Sequence, residues 1–331
     1  MQLGKVFKAA AVTFKENRAK IVTFALSLGI FASVVYILLD LLLGIGLLGL
    51  VFLILPLLTS VQYIARKCVN REEVNSSDFY LGYKIYSQSL FLQMKTYLRG
   101  FLVALVGFLV GAFIMGLILY SKALVEYPEY FSAITDYQVF YDKLFSIPWM
   151  RRWLAYASYV AFFLGGLSYS LFGFYNHLGP YICFETKFSI NTAMALSKKY
   201  SLANKKFFSK FGLAFLFILV PMVALGIILN ELLYLAGTTN VVAHCSAFLL
   251  TAILMAVYLF YYEISYYHIY RHYFQKAVLA TYKRHMETLM GVNKAEDVPL
   301  DVSGAEDEEK NEPPFKAEDF DDQGDDKKDQ G

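Results

Sequence analysis

The sequence predicts an all-α, polytopic transmembrane helix bundle of about six spans, and three observations support this fold class. Apolar residues make up 57% of the 331 residues and charged residues only 18%, whereas soluble domains are under half apolar and roughly a quarter charged. The apolar residues come in long runs, each close to the roughly 20 residues that span a hydrocarbon core. Basic residues concentrate in alternate connections between those runs. This composition excludes a soluble enzyme.

The first element, residues 1–20, is predicted to be a basic amphipathic helix. Leu3, Phe7, Ala10 and Phe14 recur at spacings of three and four residues, and the lysines lie largely off that stripe. This period places the apolar side chains on one helix face. We expect the helix to lie in the membrane plane against anionic lipid headgroups, and docking of a cytoplasmic partner is the alternative.

Six apolar runs predict six spans within a domain that covers residues 21–290. The runs are residues 21–39, 41–64, 100–120, 153–174, 211–235 and 241–262. The first two are separated only by Asp40, and together they are too long for one helix across roughly 30 Å. A tight hairpin with Asp40 at or near its turn is therefore expected.

The connections predict the orientation, because lysine and arginine close to the spans favour the cytoplasmic side. Of the 30 basic residues, 26 lie on one side of the predicted spans and 4 on the other. The richer side consists of residues 1–20, 65–99, 175–210 and 263–331. Both termini of this multi-pass protein are therefore predicted to be cytoplasmic, with the cell (plasma) membrane as its location.

The last segment, residues 291–331, is predicted to be a disordered acidic cytoplasmic tail. After Asn293 the chain holds 15 acidic residues, 5 lysines and few large apolar residues. Such a composition cannot bury enough apolar surface to offset the entropy of ordering.

A second basic amphipathic helix is predicted in the inner connection from Asn191 to Lys210. The stripe in this helix is formed by five residues at spacings of three and four: Ala193, Leu196, Tyr200, Ala203 and Phe207. Asn191 or Ser189 could cap it. Four lysines mostly off the stripe are candidates for contact with lipid or a partner: Lys198, Lys199, Lys205 and Lys206.

The same region carries a family resemblance. The stretches Gly179-Pro-Tyr-Ile-Cys-Phe-Glu185, Ala193-Met-Ala-Leu-Ser-Lys198 and Asn204-Lys-Lys-Phe-Phe208 resemble a family of six-helix bacterial integral membrane proteins without an established activity. That family is loosely akin to the membrane domain of some glycerophosphoryl diester phosphodiesterases. The resemblance implies a six-helix membrane fold in a bacterial protein. It carries over no phosphodiesterase activity, because nothing here resembles the soluble catalytic domain.

Ionisable residues at membrane depth are costly and are functional candidates by default. Glu231, near the outer end of the fifth span, and His244, early in the sixth, could meet across a short link and bind a proton or a cation. Glu185, beside the Gly179-Pro180 break, could line a pocket at the inner mouth. A structural role near the interface is the alternative for each of these three residues.

Prolines and glycines mark two further features of the spans. Pro56 and Pro221 interrupt the second and fifth spans as candidate kinks, and a broken span can expose backbone carbonyls to a substrate path. Gly107 and Gly111 form a GxxxG pattern on the third span, which is typical of close packing against another helix of the same chain or of a second copy.

Enzyme signatures are absent from the sequence. There is no GxSxG, no GxxxxGK, no GxGxxG after a strand and no HExxH. His268 and His272 lie four residues apart, but Ile269 occupies the place of the zincin glutamate. We therefore predict no catalytic residues, no metal, no cofactor and no nucleic-acid partner.

The sequence favours a non-catalytic membrane protein that organises or regulates a membrane process through lipid and cytoplasmic-partner contacts. A transporter or permease subunit for a small solute or lipid is the alternative. The sequence is also compatible with a homo-oligomer.

Overall fold

The computed structural model describes residues 2–43, 50–128, 147, 149–235 and 241–289. Every regular element within these residues is a helix, which confirms the all-α prediction for the described part of the chain. The α-helices are α1 (Leu3–Glu16), α2 (Arg18–Leu43), α3 (Leu55–Asn70), α4 (Leu81–Lys84), α5 (Tyr86–Glu126), α6 (Met150–Phe172), α7 (Gly179–Glu185), α8 (Ile190–Ala203), α9 (Lys205–Leu235), α10 (Val241–Ile269) and α11 (Gln275–Leu289). π-Helical turns at Leu50–Ile54 and Tyr270–Phe274 precede α3 and α11, and 3₁₀ turns at Ser76–Tyr80 and Phe174–Asn176 precede α4 and α7. The predicted acidic tail, residues 291–331, lies outside the described residues.

Four helical segments among the described residues are long and apolar enough to cross a membrane. They are Arg18–Leu39, Phe52–Asn70, Tyr86–Glu126 and Cys245–Thr288. A fifth arises if Tyr156–Phe172 and Phe174–Glu185, which are bent by 43° at the break between them, count as one span. The predicted fifth span, 211–235, falls within α9, which is not among these segments, so the count of six stays a prediction.

The position of Asp40 is compatible with the predicted hairpin after the first span. Helix α2 continues through Asp40 to Leu43, so Asp40 lies in the last helical turn, and the hairpin itself stays a prediction. No helix-breaking residue stands at this point, and Leu41 to Leu43 are good helix formers. The Asp40 side chain and residues 44–49 are outside the described residues.

The amino-terminal helix is present, but it is shorter than predicted and buries a different face. Asn17 separates α1 from α2, with its backbone N–H donating to the Thr13 carbonyl at 3.1 Å and its side chain to the same oxygen at 3.0 Å. The buried residues of α1 are Val6, Ala10 and Thr13, so only Ala10 of the predicted stripe is buried. The polar Thr13 is buried because it hydrogen-bonds to another helix, which an apolar pattern does not reveal.

Helix α8 begins at Ile190, one residue before the predicted start, and ends well before the predicted end at Lys210. The Ser189 side chain accepts a hydrogen bond from the Thr192 backbone N–H at 3.2 Å, so Ser189, not Asn191, is the N-cap. The helix ends at Ala203, and Ala203 is exposed, contrary to the predicted apolar stripe. Asn204 interrupts the helix here, and α9 starts immediately afterwards.

The first of two compact units contains the described residues of Met1–Leu98, Tyr175–Phe207 and Phe217–Gly331. Helices α1, α2 and α3 each pack against α10 in this unit. A Cβ atom on Gly29 of α2 would lie only 2.9 Å from the Cα of Ile253, so glycine permits that close approach to α10. The core is rich in fully buried aromatic side chains, among them Tyr181, Tyr266, Tyr267 and Tyr270.

The second unit contains Arg99–Phe174 and Phe208–Leu216. A Cβ atom on Gly111 of α5 would lie 2.8 Å from the Cα of Ala161 in α6, and one on Gly107 would lie 2.7 Å from the Leu164 carbonyl oxygen. Both glycines therefore lie at a close approach of α5 to α6 within the chain. The predicted packing role thus has a defined neighbour.

Candidate functional site

The most buried acidic side chain among the described residues is Glu263 of α10, which is 1% exposed. Its Oε2 accepts a hydrogen bond from the Tyr181 hydroxyl at 2.6 Å. Its Oε1 accepts one from the Tyr97 hydroxyl at 3.0 Å and a longer one from Gln62 Nε2 at 3.4 Å. No cationic side chain in the described part of the chain pairs with it. Glu263 is therefore balanced by neutral donors alone.

A second layer of amides supports these donors. Gln93 Nε2 donates to Gln62 Oε1 at 2.7 Å and to Thr59 Oγ1 at 2.8 Å. All three side chains are buried. Because the Gln62 oxygen accepts from Gln93, its amide nitrogen is turned towards Glu263. We call Glu263, Tyr181, Tyr97, Gln62, Gln93 and Thr59 the Glu263 network.

Local sequence explains how these groups come together. Gln93 and Tyr97 are four residues apart on α5, and Thr59 and Gln62 are three apart on α3, so each pair shares a helix face. Pro180 stands in the first turn of α7, where its missing N–H costs no hydrogen bond. Helix α7 can therefore start at Gly179 and place Tyr181 against α10.

Glu185, at the end of α7, occupies a second polar cluster. Its Oε1 accepts hydrogen bonds from Arg66 Nε at 3.1 Å and from the Tyr267 hydroxyl at 2.9 Å. Its Oε2 accepts one from Gln275 Nε2 at 3.0 Å. Only 13% of the Glu185 side chain is exposed. Glu185 is thus held by a cation and two neutral donors rather than facing an open pocket.

The two clusters adjoin through aromatic rings. The Tyr181 and Tyr267 ring centroids are 5.1 Å apart, and Tyr181 also stacks with Tyr270 at 6.0 Å. His177, which is 1% exposed, packs edge-on against Tyr97 at 4.9 Å. Hydroxyl groups and rings therefore form a continuous buried layer from Glu263 to Glu185.

The other predicted site residues lie away from this layer or outside the described side chains. The backbones of Glu231 and His244 lie in α9 and α10, but their side chains are outside the described residues, so their pairing stays a prediction. Pro56 is buried in the first turn of α3, directly after the π-helical turn Leu50–Ile54, and its role as a kink stays a prediction. Pro221 lies inside α9.

The four candidate lysines are exposed. Lys198 and Lys199 lie in the second half of α8, and Lys205 and Lys206 are the first two residues of α9. The opposite side of α8 is held inward, because Ser197 Oγ donates to the Tyr175 carbonyl at 2.8 Å and accepts from the Leu178 N–H at 3.1 Å. We call these four residues the lysine junction.

Sequence reasoning missed the Glu263 network. Glu263 follows the predicted sixth span by one residue, so a search for acids inside the spans passes over it. Gln62 lies inside the second predicted span, but it is neutral. A search for all polar side chains at membrane depth would have found Gln62 and led to its partners.

Among the described residues, no group of three or more histidine, cysteine or acidic side chains converges as a metal site. His268 instead shares a hydrogen bond with Thr13 Oγ1 at 3.0 Å.

No protein-family model, curated protein or solved structure matches the chain. The resemblance of the 179–208 region to a six-helix bacterial membrane protein family therefore stays a prediction.

Proposed function

We propose that this chain is a non-catalytic, multi-pass membrane protein that organises or regulates a membrane process through lipid and cytoplasmic-partner contacts. The observation that carries the proposal is the lysine junction, where four cationic side chains are exposed. Two of them lie on α8, whose opposite face is fixed in the core by Ser197, and two lie at the start of α9. Exposed basic residues next to a membrane attract anionic lipid headgroups or an acidic protein surface.

The buried polar groups support the same proposal. The carboxylates of the two polar clusters are engaged by side chains of the chain itself, Glu263 by two tyrosines and a glutamine and Glu185 by Arg66, Tyr267 and Gln275. Buried hydrogen bonds of this kind rigidify a bundle and specify its packing. They do not leave carboxylate oxygens open for a solute, as a substrate path requires.

The proposal includes a six-span topology in the bacterial cell membrane with cytoplasmic termini. The asymmetry of basic residues supports it, and so does the resemblance to six-helix bacterial proteins. In this topology the lysine junction, α1 and α11 all face the cytoplasm.

Copurification tests the proposed role of the lysine junction. The wild-type chain and a variant in which Lys198, Lys199, Lys205 and Lys206 are replaced by Gln would be solubilised from native membranes and compared by quantitative mass spectrometry. We expect a partner in fixed stoichiometry with the wild type and its loss from the variant. A matched control replaces four other exposed basic residues by Gln: Lys15, Arg18, Lys20 and Arg284.

Equal loss of the partner from both variants would indicate a general charge effect and contradict the proposal. Recovery of a nucleotide-hydrolysing or substrate-binding subunit would favour a permease subunit.

A transporter is the second candidate, and one observation favours it. Glu263 is a buried carboxyl group with no cationic partner among the described residues, and such groups serve as proton-binding sites in transport proteins. In proteoliposomes under an imposed potassium diffusion potential, a transporter that uses Glu263 would show proton uptake that Glu263→Gln abolishes. Uptake equal to that of empty liposomes would remove this candidate in its proton-coupled form.

A further inference from the structure

A basic cavity separate from the Glu263 network lies in the first unit, where α1, the end of α3 and the end of α10 meet. It encloses about 630 Å³, within the range of roughly 300–1,000 Å³ typical of ligand pockets. Its rim carries the cationic side chains of Lys5, Lys8, Arg71 and Arg271, and Glu16 is the one acidic residue of its lining. We call it the basic cavity.

The positive charge of this rim is not neutralised within the described part of the chain. Lys5, Lys8 and Arg71 form no ion pair there, although Arg66 and Lys67, a few residues before Arg71, both do. Four cations face one carboxylate. A concave site of one charge sign with an apolar floor, here the buried Val69, concentrates the field on an anion.

The backbone at Arg71 adds an independent observation. Arg71 has a φ of 62°, the only left-handed non-glycine residue in the described part of the chain. It terminates α3, where glycine is the usual residue because it has no Cβ penalty. Holding arginine in this conformation is unfavourable, yet it directs a guanidinium group to the cavity rim.

Hydrogen bonds between residues around the cavity hold its walls and one of its cationic groups in position. Arg271 Nη1 donates to the Val69 carbonyl at 2.7 Å, so this guanidinium is anchored at the end of α3. The Thr13 hydroxyl and His268 Nε2, both in the lining, hydrogen-bond to each other at 3.0 Å. The backbone N–H of Gln2 donates to the Tyr273 hydroxyl at 3.1 Å, which secures the start of α1. The site is therefore preformed in the absence of a ligand.

We propose that the basic cavity binds a phosphate group, carried by the headgroup of an anionic phospholipid. Arginine guanidinium groups bind phosphate oxygens in a bidentate fashion, and lysine adds point charges around them. This inference rests on the proposed placement of α1 at the cytoplasmic membrane surface. There a phospholipid headgroup is the most abundant phosphate ligand, and the apolar floor accepts the glycerol that follows the phosphate.

The test uses the full-length protein in a mild detergent. The protein is titrated with phosphatidylglycerol, phosphatidylcholine or inorganic phosphate. An unfolding assay measures its thermal midpoint, and native mass spectrometry measures the bound lipid. The variant combines Lys5→Gln, Lys8→Gln and Arg71→Gly. The control variant, Lys276→Gln, Lys283→Gln and Arg284→Gln, removes the same number of charges from exposed positions outside the cavity.

We expect the wild type and the control to prefer phosphatidylglycerol over phosphatidylcholine. The cavity variant should bind phosphatidylglycerol on the order of 100-fold more weakly, because each basic group near an anionic headgroup contributes about a factor of five. Arg71→Gly relieves the left-handed strain, so the midpoint of the unliganded variant should not fall. Weakened binding then cannot be attributed to unfolding.

Saturation by inorganic phosphate alone, lost in the cavity variant, would support the phosphate site and identify a free anion as its source. Equal affinity for both lipids, or an equal loss of binding in the cavity and control variants, would overturn the inference. Neither result affects the copurification test of the lysine junction, so a failure of the cavity proposal can be distinguished from a failure of the proposed function.

Discussion

The Glu263 carboxylate receives hydrogen bonds from three neutral side chains that lie far from it in the sequence. It lies one residue past the predicted end of the sixth span, and the sequence separations to its partners range from 82 to 201 residues. Local patterns predict that Gln93 and Tyr97 share a helix face. They do not predict which remote carboxylate that face meets, because tertiary packing decides it.

At Glu263 we predict that charge and hydrogen bonding have separable effects. Glu263→Leu leaves the Tyr97 hydroxyl without its acceptor, while Tyr181 keeps its bond to the Glu263 carbonyl and Gln62 its long contact with the Tyr97 hydroxyl. The substitution should cost about 1–3 kcal/mol, the cost of one unsatisfied buried group. Glu263→Gln keeps the shape and one acceptor, and should shift the thermal midpoint little. Thermal unfolding in detergent measures both, with the exposed Glu73 changed to Leu as the control. Equal destabilisation by Gln and Leu would show that the negative charge itself is required.

Tyr83, which lies outside the candidate spans, carries a pH-dependent prediction. Burial, followed by the neighbouring Tyr86 hydroxyl, raises the pKa of Tyr83 to about 12. The folded state keeps this proton while the unfolded chain loses it near pH 10, so the contribution of Tyr83 is present below pH 10 and declines as the pH rises towards 12.

Tyr83→Phe also removes the hydrogen bond to the Leu53 carbonyl, so the variant should be less stable at pH 9. The difference in thermal midpoint from the wild type should be smaller at pH 11. An equal difference at both pH values would contradict the assignment.

At the scale of elements, helical positions follow from the sequence more readily than helix faces. Long apolar runs predict five of the helices: α2, α5, α6, α9 and α10. For each of them, at least one predicted end lies within a few residues of the observed end, because the period and length of an apolar run suffice to predict a helix. The inward faces of α1 and α8 are different, since Thr13 and Ser197 are buried by specific hydrogen bonds. An apolar stripe alone assigns such polar residues to the surface.

The GxxxG pattern of α5 gives a prediction with an internal control. Gly107→Ala and Gly111→Ala place a Cβ within 3 Å of backbone atoms of α6, and overpacking of this kind typically costs about 1–3 kcal/mol. Gly116 lies on the same helix with nothing within 4 Å of its added Cβ. Gly116→Ala should be neutral or stabilising by up to about 1 kcal/mol, the helix propensity difference. Thermal unfolding of the three variants checks this, and three equal effects would contradict the packing assignment.

At the scale of the whole molecule, composition predicts a membrane protein, and four or five helical segments of sufficient length and apolarity agree with it. The predicted fourth span, 153–174, ends close to the break between α6 and α7, but hydropathy does not predict the bend of the chain there. Gly173 and the short 3₁₀ turn at Phe174–Asn176 bend the chain there, while the apolar character continues through Phe184. Hydropathy records solvent preference and not backbone direction.

The charge asymmetry predicts a labelling pattern. In a background with Cys68, Cys183 and Cys245 replaced by Ala, single cysteines would be introduced by Ser121→Cys and Lys206→Cys, both at exposed positions. A membrane-impermeant maleimide applied to intact cells should label the first variant and leave the second unlabelled until the membrane is permeabilised. Labelling of Lys206→Cys in intact cells would overturn the proposed orientation.

The hydrogen bond between Thr13 and His268 joins residues that are 255 positions apart, and this separation has a consequence for biogenesis. At a synthesis rate of roughly 5–20 residues per second, α1 leaves the ribosome on the order of 10–50 seconds before its partner on α10 exists. During that interval its buried face, with Val6 and Ala10, has no final docking site. The nascent chain must therefore shelter α1, on the bilayer surface or with an insertion factor, until translation delivers the last helices.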